Sequence, residues 1–200
     1  MITDINTIIE ILGAVTGLVA VFLNSKRISG AWLLGLIGII TSGIVFFNAS
    51  LYAETGLQIV FGLSGIYGYF QWRVNGEQKQ ILKPSYTTLT RSGLYLLLLI
   101  VVTGNIYFLL TSFTDSTTPL PDAAITGISL VAQIMLAKQE QENWYLWTIA
   151  NLISIPLYLY KGIYIYAGLY VGYLALGLYG LYTWHRLIHN CKSLYRNKSV

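Results

Sequence analysis

The chain has 200 residues, of which 55% are hydrophobic and 10% charged, with a mean hydropathy of +0.61. Apolar blocks of about 20 residues, the length that crosses a hydrocarbon core, recur along it, so the sequence reads as a polytopic membrane protein. One cysteine, Cys191, excludes an intramolecular disulfide or a cysteine metal cluster, and a net charge of +4 signifies less than where the basic residues fall.

Apolar windows between charged or proline-containing breaks predict seven helices, over 5–23, 30–47, 53–72, 92–111, 122–137, 143–160 and 163–184. The first follows acidic Asp4, has no basic flank and ends in NSKRISGAW without a small-residue cleavage site, so it reads as a retained span and not a removed signal. With seven spans, the loops after helices 1, 3 and 5 and the tail share one side. They hold Lys26, Arg27, Arg73, Lys79, Lys83, Arg91, Lys138, Arg186, Lys192, Arg196 and Lys198; Lys161 alone lies opposite. Basic residues mark the cytoplasmic side, which predicts an external N-terminus and a cytoplasmic C-terminus.

A gapless internal register accompanies the spans. Adding 112 to a residue number pairs Leu18 with Leu130, Val19 with Val131, Ala20 with Ala132, Lys26 with Lys138, Trp32 with Trp144, and Ser42 with Ser154. It also pairs Tyr52 with Tyr164, Gly56 with Gly168, Gly65 with Gly177, Tyr67 with Tyr179, Gly68 with Gly180, and Trp72 with Trp184. With Leu34, Ile37 and Leu57 there are fifteen identities in the 55 positions from 18 to 72, and biased composition gives roughly half as many. The expected organisation is a first three-helix repeat with its cytoplasmic loop (1–91), a linker helix 4 (92–121), a second repeat (122–184) and a basic cytoplasmic tail (185–200). A three-helix unit followed by one linker makes the repeats parallel, with a substrate site expected between them near the midplane.

The segment ENWYLWTIANLISIPLYLYKG carries Trp144, Trp147, Asn151, Ser154 and Tyr158 along one helical face. Trp144, near the cytoplasmic end, suits an interfacial belt as well as a ligand contact. Trp147 and Asn151 lie deeper, where an indole can stack on a flat or cationic ring and an amide can bond a hydroxyl or carboxamide. Helix 5 sets Asp122, Thr126, Ser129 and Gln133 on a polar stripe, of which Gln133 is the ligand candidate; interhelical hydrogen bonding is the alternative for the others. Gln58, one turn from Glu54, and Tyr170, which shares a face with Tyr166 and Tyr173, are equivalent in the 112-residue register and complete the candidate substrate contacts. Pro156 removes a backbone donor and stands as a static kink or a hinge.

No Asp, Glu, Lys, Arg or His falls in the middle of a predicted span, which favours uncoupled transport and argues against a membrane enzyme. No catalytic residue, cofactor, metal site or nucleic-acid motif is expected: His185, His189 and Cys191 suit a solvated tail, and the NAS sequon at 48–50 lies against the membrane.

The segments LYAETGLQ, GIYGYFQWR, ENWYLWTIAN and SIPLYLYKGIY, over nearly the whole chain, resemble the PnuC family of vitamin transporters; the W-x-x-W-x-x-x-N pattern of Trp144, Trp147 and Asn151 is the most specific part. The resemblance implies an all-α, SWEET-like 3+1+3 membrane protein, often a homotrimer in the inner (plasma) membrane. It implies facilitated diffusion of a dephosphorylated B-vitamin compound, foremost nicotinamide riboside, with trapping by a cytoplasmic vitamin kinase. Branches carrying thiamine or riboflavin, and a membrane sensor or channel, remain open.

Overall fold

The computed structural model describes residues 2–48, 52–77, 84–161 and 164–196. They form seven helices: α1 (Ile2–Ser25), α2 (Gly30–Asn48), α3 (Tyr52–Glu77), α4 (Leu89–Phe113), α5 (Pro119–Ala137), α6 (Asn143–Tyr160) and α7 (Tyr164–Arg196). The chain divides into two compact units, Met1–Leu82 and Lys83–Val200. In the first, α1 packs on α2 and α2 on α3; in the second, the packed pairs are α4–α5, α5–α6 and α6–α7. In hydrocarbon each backbone N–H and C=O must find its partner inside the chain, and helices achieve this within a single segment.

The largest departure from the sequence-based expectation is α7. The basic tail continues the helix to Arg196, because RLIHNCKSLYR holds neither glycine nor proline and its cations favour a helix C-terminus. Residues 49–50 of the sequon, Lys79 and Lys83, and the side chains of Asn48, Glu54, Tyr166 and Cys191 lie outside the residues described.

The α1–α2 and α5–α6 turns have the same backbone. Arg27 and Gln139, 112 residues apart, adopt left-handed conformations with φ of 62° and 56°. Ile28 N–H donates to Leu23 C=O at 3.0 Å and Arg27 N–H to Asn24 C=O at 3.0 Å; Glu140 to Met135 and Gln139 to Leu136 repeat them at 2.9 Å each. These are the paired bonds of a Schellman helix ending, made here without the usual glycine. The bonds from Lys26 to Phe22, Ala31 to Ile28 and Trp32 to Ser29 likewise recur as Lys138 to Ile134, Asn143 to Glu140 and Trp144 to Gln141.

Each turn leads into a buried tryptophan clasp. In the first unit, the rings of Trp32 (α2) and Trp72 (α3) meet edge to face, 5.3 Å between centroids at 86°. In the second, Trp144 (α6) and Trp184 (α7) meet at 5.5 Å and 87°. A glycine admits each indole: a Cβ on Gly68 would stand 2.5 Å from the Trp32 ring, and one on Gly180 2.7 Å from the Trp144 ring.

Helix α4 is apolar and buries little. Tyr95 packs with Val131 and Met135 of α5, and Gly127 leaves room for the Thr103 side chain. Leu94, Leu97, Ile100, Val101, Phe108 and Phe113 are all exposed. By length and composition α4 and α5 both suffice to cross a membrane.

Candidate functional site

Helix α6 is the longest run of candidate residues, and the structure separates their surroundings. Trp144 is 1% exposed, closed in by Trp184 and Gly180. Its indole is packed against protein. Trp147, three residues on, is half-buried, and no aromatic ring or cation contacts it among the described residues. One more turn along, Asn151 is 4% exposed, yet its amide makes no hydrogen bond among the described residues. An amide without an internal partner keeps its donors and acceptor available to an incoming polar group or water.

Ser154 is fully buried and returns its hydroxyl to the Ala150 carbonyl at 2.8 Å, a local bond that leaves it little capacity for a ligand. Pro156 lies inside α6, which continues through it, and faces outward. Gln133 on α5 is half-buried and, like Asn151, has an uncommitted amide among the described residues. Of its stripe, Ser129 is buried in α5. Asp122 is drawn into a different task, accepting from Ser116 Oγ at 3.2 Å and Thr118 Oγ1 at 3.0 Å while pairing with Lys161 at 3.2 Å.

Tyr170 is half-buried and clustered. Tyr158 donates its hydroxyl to the Tyr170 hydroxyl at 3.4 Å, their rings lie 4.9 Å apart, and Tyr173 stands 5.6 Å on the other side. Sequence reasoning set Tyr158 on the Asn151 face but assigned it no role; its seven-residue spacing from Asn151 was the signal. In the first unit, half-buried Gln58 lies against Gly43, 3.7 Å from where a Cβ would be.

Among the described residues no three His, Cys, Asp or Glu side chains are grouped to hold a metal ion. The His185 and His189 rings lie 4.4 Å apart and tilted at 51°, and His185 Nδ1 meets the Tyr86 hydroxyl at 3.2 Å.

Seven helices, two of them long and apolar enough to cross a membrane, and on α6 an indole and an amide without partners among the described residues, are the features of a small helical membrane protein. The nicotinamide mononucleotide transporter family matches residues 7–186, and the chain belongs to that family, also known by its PnuC members. It is therefore a vitamin transporter of the membrane and not an enzyme. The chain is 26% identical to the nicotinamide riboside transporter PnuC of Escherichia coli, over 88% of this chain and 84% of that protein. It is 30% identical to the PnuC of Haemophilus influenzae, over 90% and 80%. With the riboflavin/roseoflavin transporter RibM of Streptomyces davaonensis it shares 29% identity over 88% and 83%. The crystal structure of the vitamin B3 transporter PnuC has the same fold, with a TM-score of 0.77 over 94% of this chain and 85% of that one at 24% identity.

Proposed function

We propose that the chain carries nicotinamide riboside by facilitated diffusion, with phosphorylation by a cytoplasmic kinase trapping the product. The observation that carries this reading is the pairing on α6 of Trp147, a half-buried indole without a ring partner among the described residues, and Asn151, whose amide makes no hydrogen bond among them. A pyridinium riboside uses both: its cationic ring stacks on the indole, and its carboxamide or ribose hydroxyls bond the amide. Gln133, Gln58 and Tyr170 are proposed as further polar contacts. Trp144 is the weakest candidate, since Trp184 and Gly180 enclose it.

The wider reading is a 3+1+3 chain with parallel repeats, a homotrimer in the inner membrane, N-terminus outside and C-terminus in the cytoplasm. The recurrence of turn and clasp at 112 residues supports the repeat, and the segregation of eleven basic residues out of twelve supports the orientation. Pro156 is proposed as a fixed feature of α6.

A riboflavin substrate is the second reading, favoured by the similarity to RibM. The deciding experiment measures binding and liposome uptake of nicotinamide riboside, riboflavin and thiamine at zero membrane potential. Saturable uptake of nicotinamide riboside that stops at equal internal and external concentration is expected. Preference for riboflavin or thiamine, or binding without flux, would overturn the assignment, and accumulation driven by a proton or sodium gradient would overturn the uncoupled mechanism.

A further inference from the structure

We infer that α4 is mechanically part of the ligand-bearing hairpin, and that Arg91 and Glu140 are positioning residues whose ion pair stays closed throughout the transport cycle. The inference deepens the proposed function, since one of its readouts is uptake of the same substrate.

Glu140 follows the left-handed residue of the α5–α6 turn. Its side chain is 1% exposed, while that of its partner Arg91 is 59% exposed; Arg91 Nη1 donates to Oε1 at 3.0 Å. The other carboxylate oxygen lies 3.4 Å from Thr87 Oγ1. Two residues on, Glu142 Oε2 accepts from Thr87 N–H at 3.0 Å and from Thr87 Oγ1 at 2.8 Å. The backbone adds a two-way bridge, Ser85 N–H to Gln139 C=O at 3.1 Å and Gln141 N–H to Ser85 C=O at 2.9 Å. Residues 85, 87 and 91 are thus bonded to the short stretch 139–142 by main chain, hydroxyl and charge.

The connection continues along the helices. The Lys138 ammonium stands 5.6 Å from the centre of the Tyr95 ring, and Thr103 occupies the space that Gly127 leaves on α5. At its far end α6 is tied again, by Lys161 to Asp122, whose carboxylate also holds Ser116 and Thr118 of the α4–α5 link. Trp147 and Asn151 therefore ride on a helix fixed at both ends. A buried carboxylate is tolerated only while its cation stays in place, so a cycle that opened this pair would strand Glu140 in a dry site at every turnover. In the first unit the equivalent of Glu140 is Ile28, which has no charge to offer. The motion that exposes the site to either side then occurs outside the α4–α6 set, by movement of packed bodies.

Two measurements test this. In a Cys191→Ser background, Arg91→Cys and Glu140→Cys are joined by a short bifunctional thiosulfonate, and uptake in liposomes is compared with the same protein before cross-linking. Because the link restores the tie that the two substitutions remove, the expected rate is unchanged or higher; a loss beyond twofold that reduction reverses would mean the pair must open, and the inference falls. The second needs no substrate: hydrogen exchange of 84–88 and 139–143 in the full chain. Arg91→Gln is expected to speed exchange in both segments together, at least tenfold, with Arg91→Lys restoring protection. Acceleration in one segment alone, or in neither, overturns the lock. If the unmodified protein takes up neither nicotinamide riboside nor riboflavin, the substrate reading fails, while the exchange result still decides the lock.

Discussion

The turns at 23–32 and 135–144 are one backbone built twice, and they differ in what they carry. Both place a residue with a side chain in the left-handed region, both make the same hydrogen bonds, and both deliver a tryptophan into an edge-to-face clasp over a glycine. Past the left-handed residue, however, the first has Ile28, exposed, and the second Glu140, buried and ion-paired. The same divergence marks the ligand candidates: Trp147, Asn151 and Gln133 stand where the first unit has Gly35, Ile39 and Val21. At the turns and clasps, identity in the 112-residue register goes with shared packing, while the ligand candidates fall where the register differs.

The strongest way to break that comparison is through the clasp glycines. Gly68→Ala and Gly180→Ala should each destabilise the protein by about 2–3 kcal/mol, because an added methyl meets the face of a buried indole that has nowhere to go. Gly56→Ala and Gly168→Ala, equally identical in the register but with nothing within 4 Å of the added atom, should lie within about 0.5 kcal/mol of the parent. Denaturation in detergent measures all four, and equal losses would show that the identities do not report contacts.

The two turns can next be made alike. Glu140→Ile gives the second turn the residue of the first and should be nearly neutral for stability, since an apolar side chain of similar size replaces a buried charge. Arg91→Ala should cost about 2 kcal/mol, because it leaves the carboxylate buried without its cation. The cost stays below that of a fully buried pair because Arg91 is more than half exposed. The same unfolding assay checks the ordering, which reverses if the pair is held chiefly by Arg91.

At the ligand face, Trp147→Ala should weaken binding of nicotinamide riboside by about 1–2 kcal/mol, roughly five- to thirtyfold. Trp32→Phe, a change within the first clasp, should leave the dissociation constant within twofold of the parent. Titration calorimetry on folded protein separates them, and equal losses would place ligand recognition in the clasps. The smallest effect belongs to the strained backbone: Arg27→Gly should raise stability by at most about 1 kcal/mol, as glycine accepts positive φ without a Cβ clash.

Much of this architecture was legible because hydrocarbon demands long apolar helices, and the breaks between them hold charge, Pro or Gly. Predicted spans 122–137 and 143–160 sit almost on α5 and α6. The end of α7 was misjudged, since a basic amphipathic helix and a solvated tail share the same composition. Trp144 was ambiguous for a different reason: an interfacial anchor, a ligand contact and a packing residue are the same letter. The register held the hint, because Trp32, Gly68 and Trp72 recur with it as a set. The Glu140 lock was invisible, as its partner lies 49 residues upstream and no local spacing announces the pair.

The uncovered face of α4 also bears on how the protein is made. A segment with Leu94, Leu96, Leu97, Ile100 and Val101 turned outward is apolar enough to leave the translocon for lipid unaided. Helix α6, with Asn143, Asn151, Ser154 and Pro156, is a poor solitary passenger by the same scale. During biosynthesis α4 emerges first, so it can be resident in the bilayer when α6 arrives, with Arg91 in place to meet Glu140. Insertion of 89–113 by itself, against failure of 143–160 unless α4 and α5 precede it, is the order that glycosylation mapping of truncated chains should find.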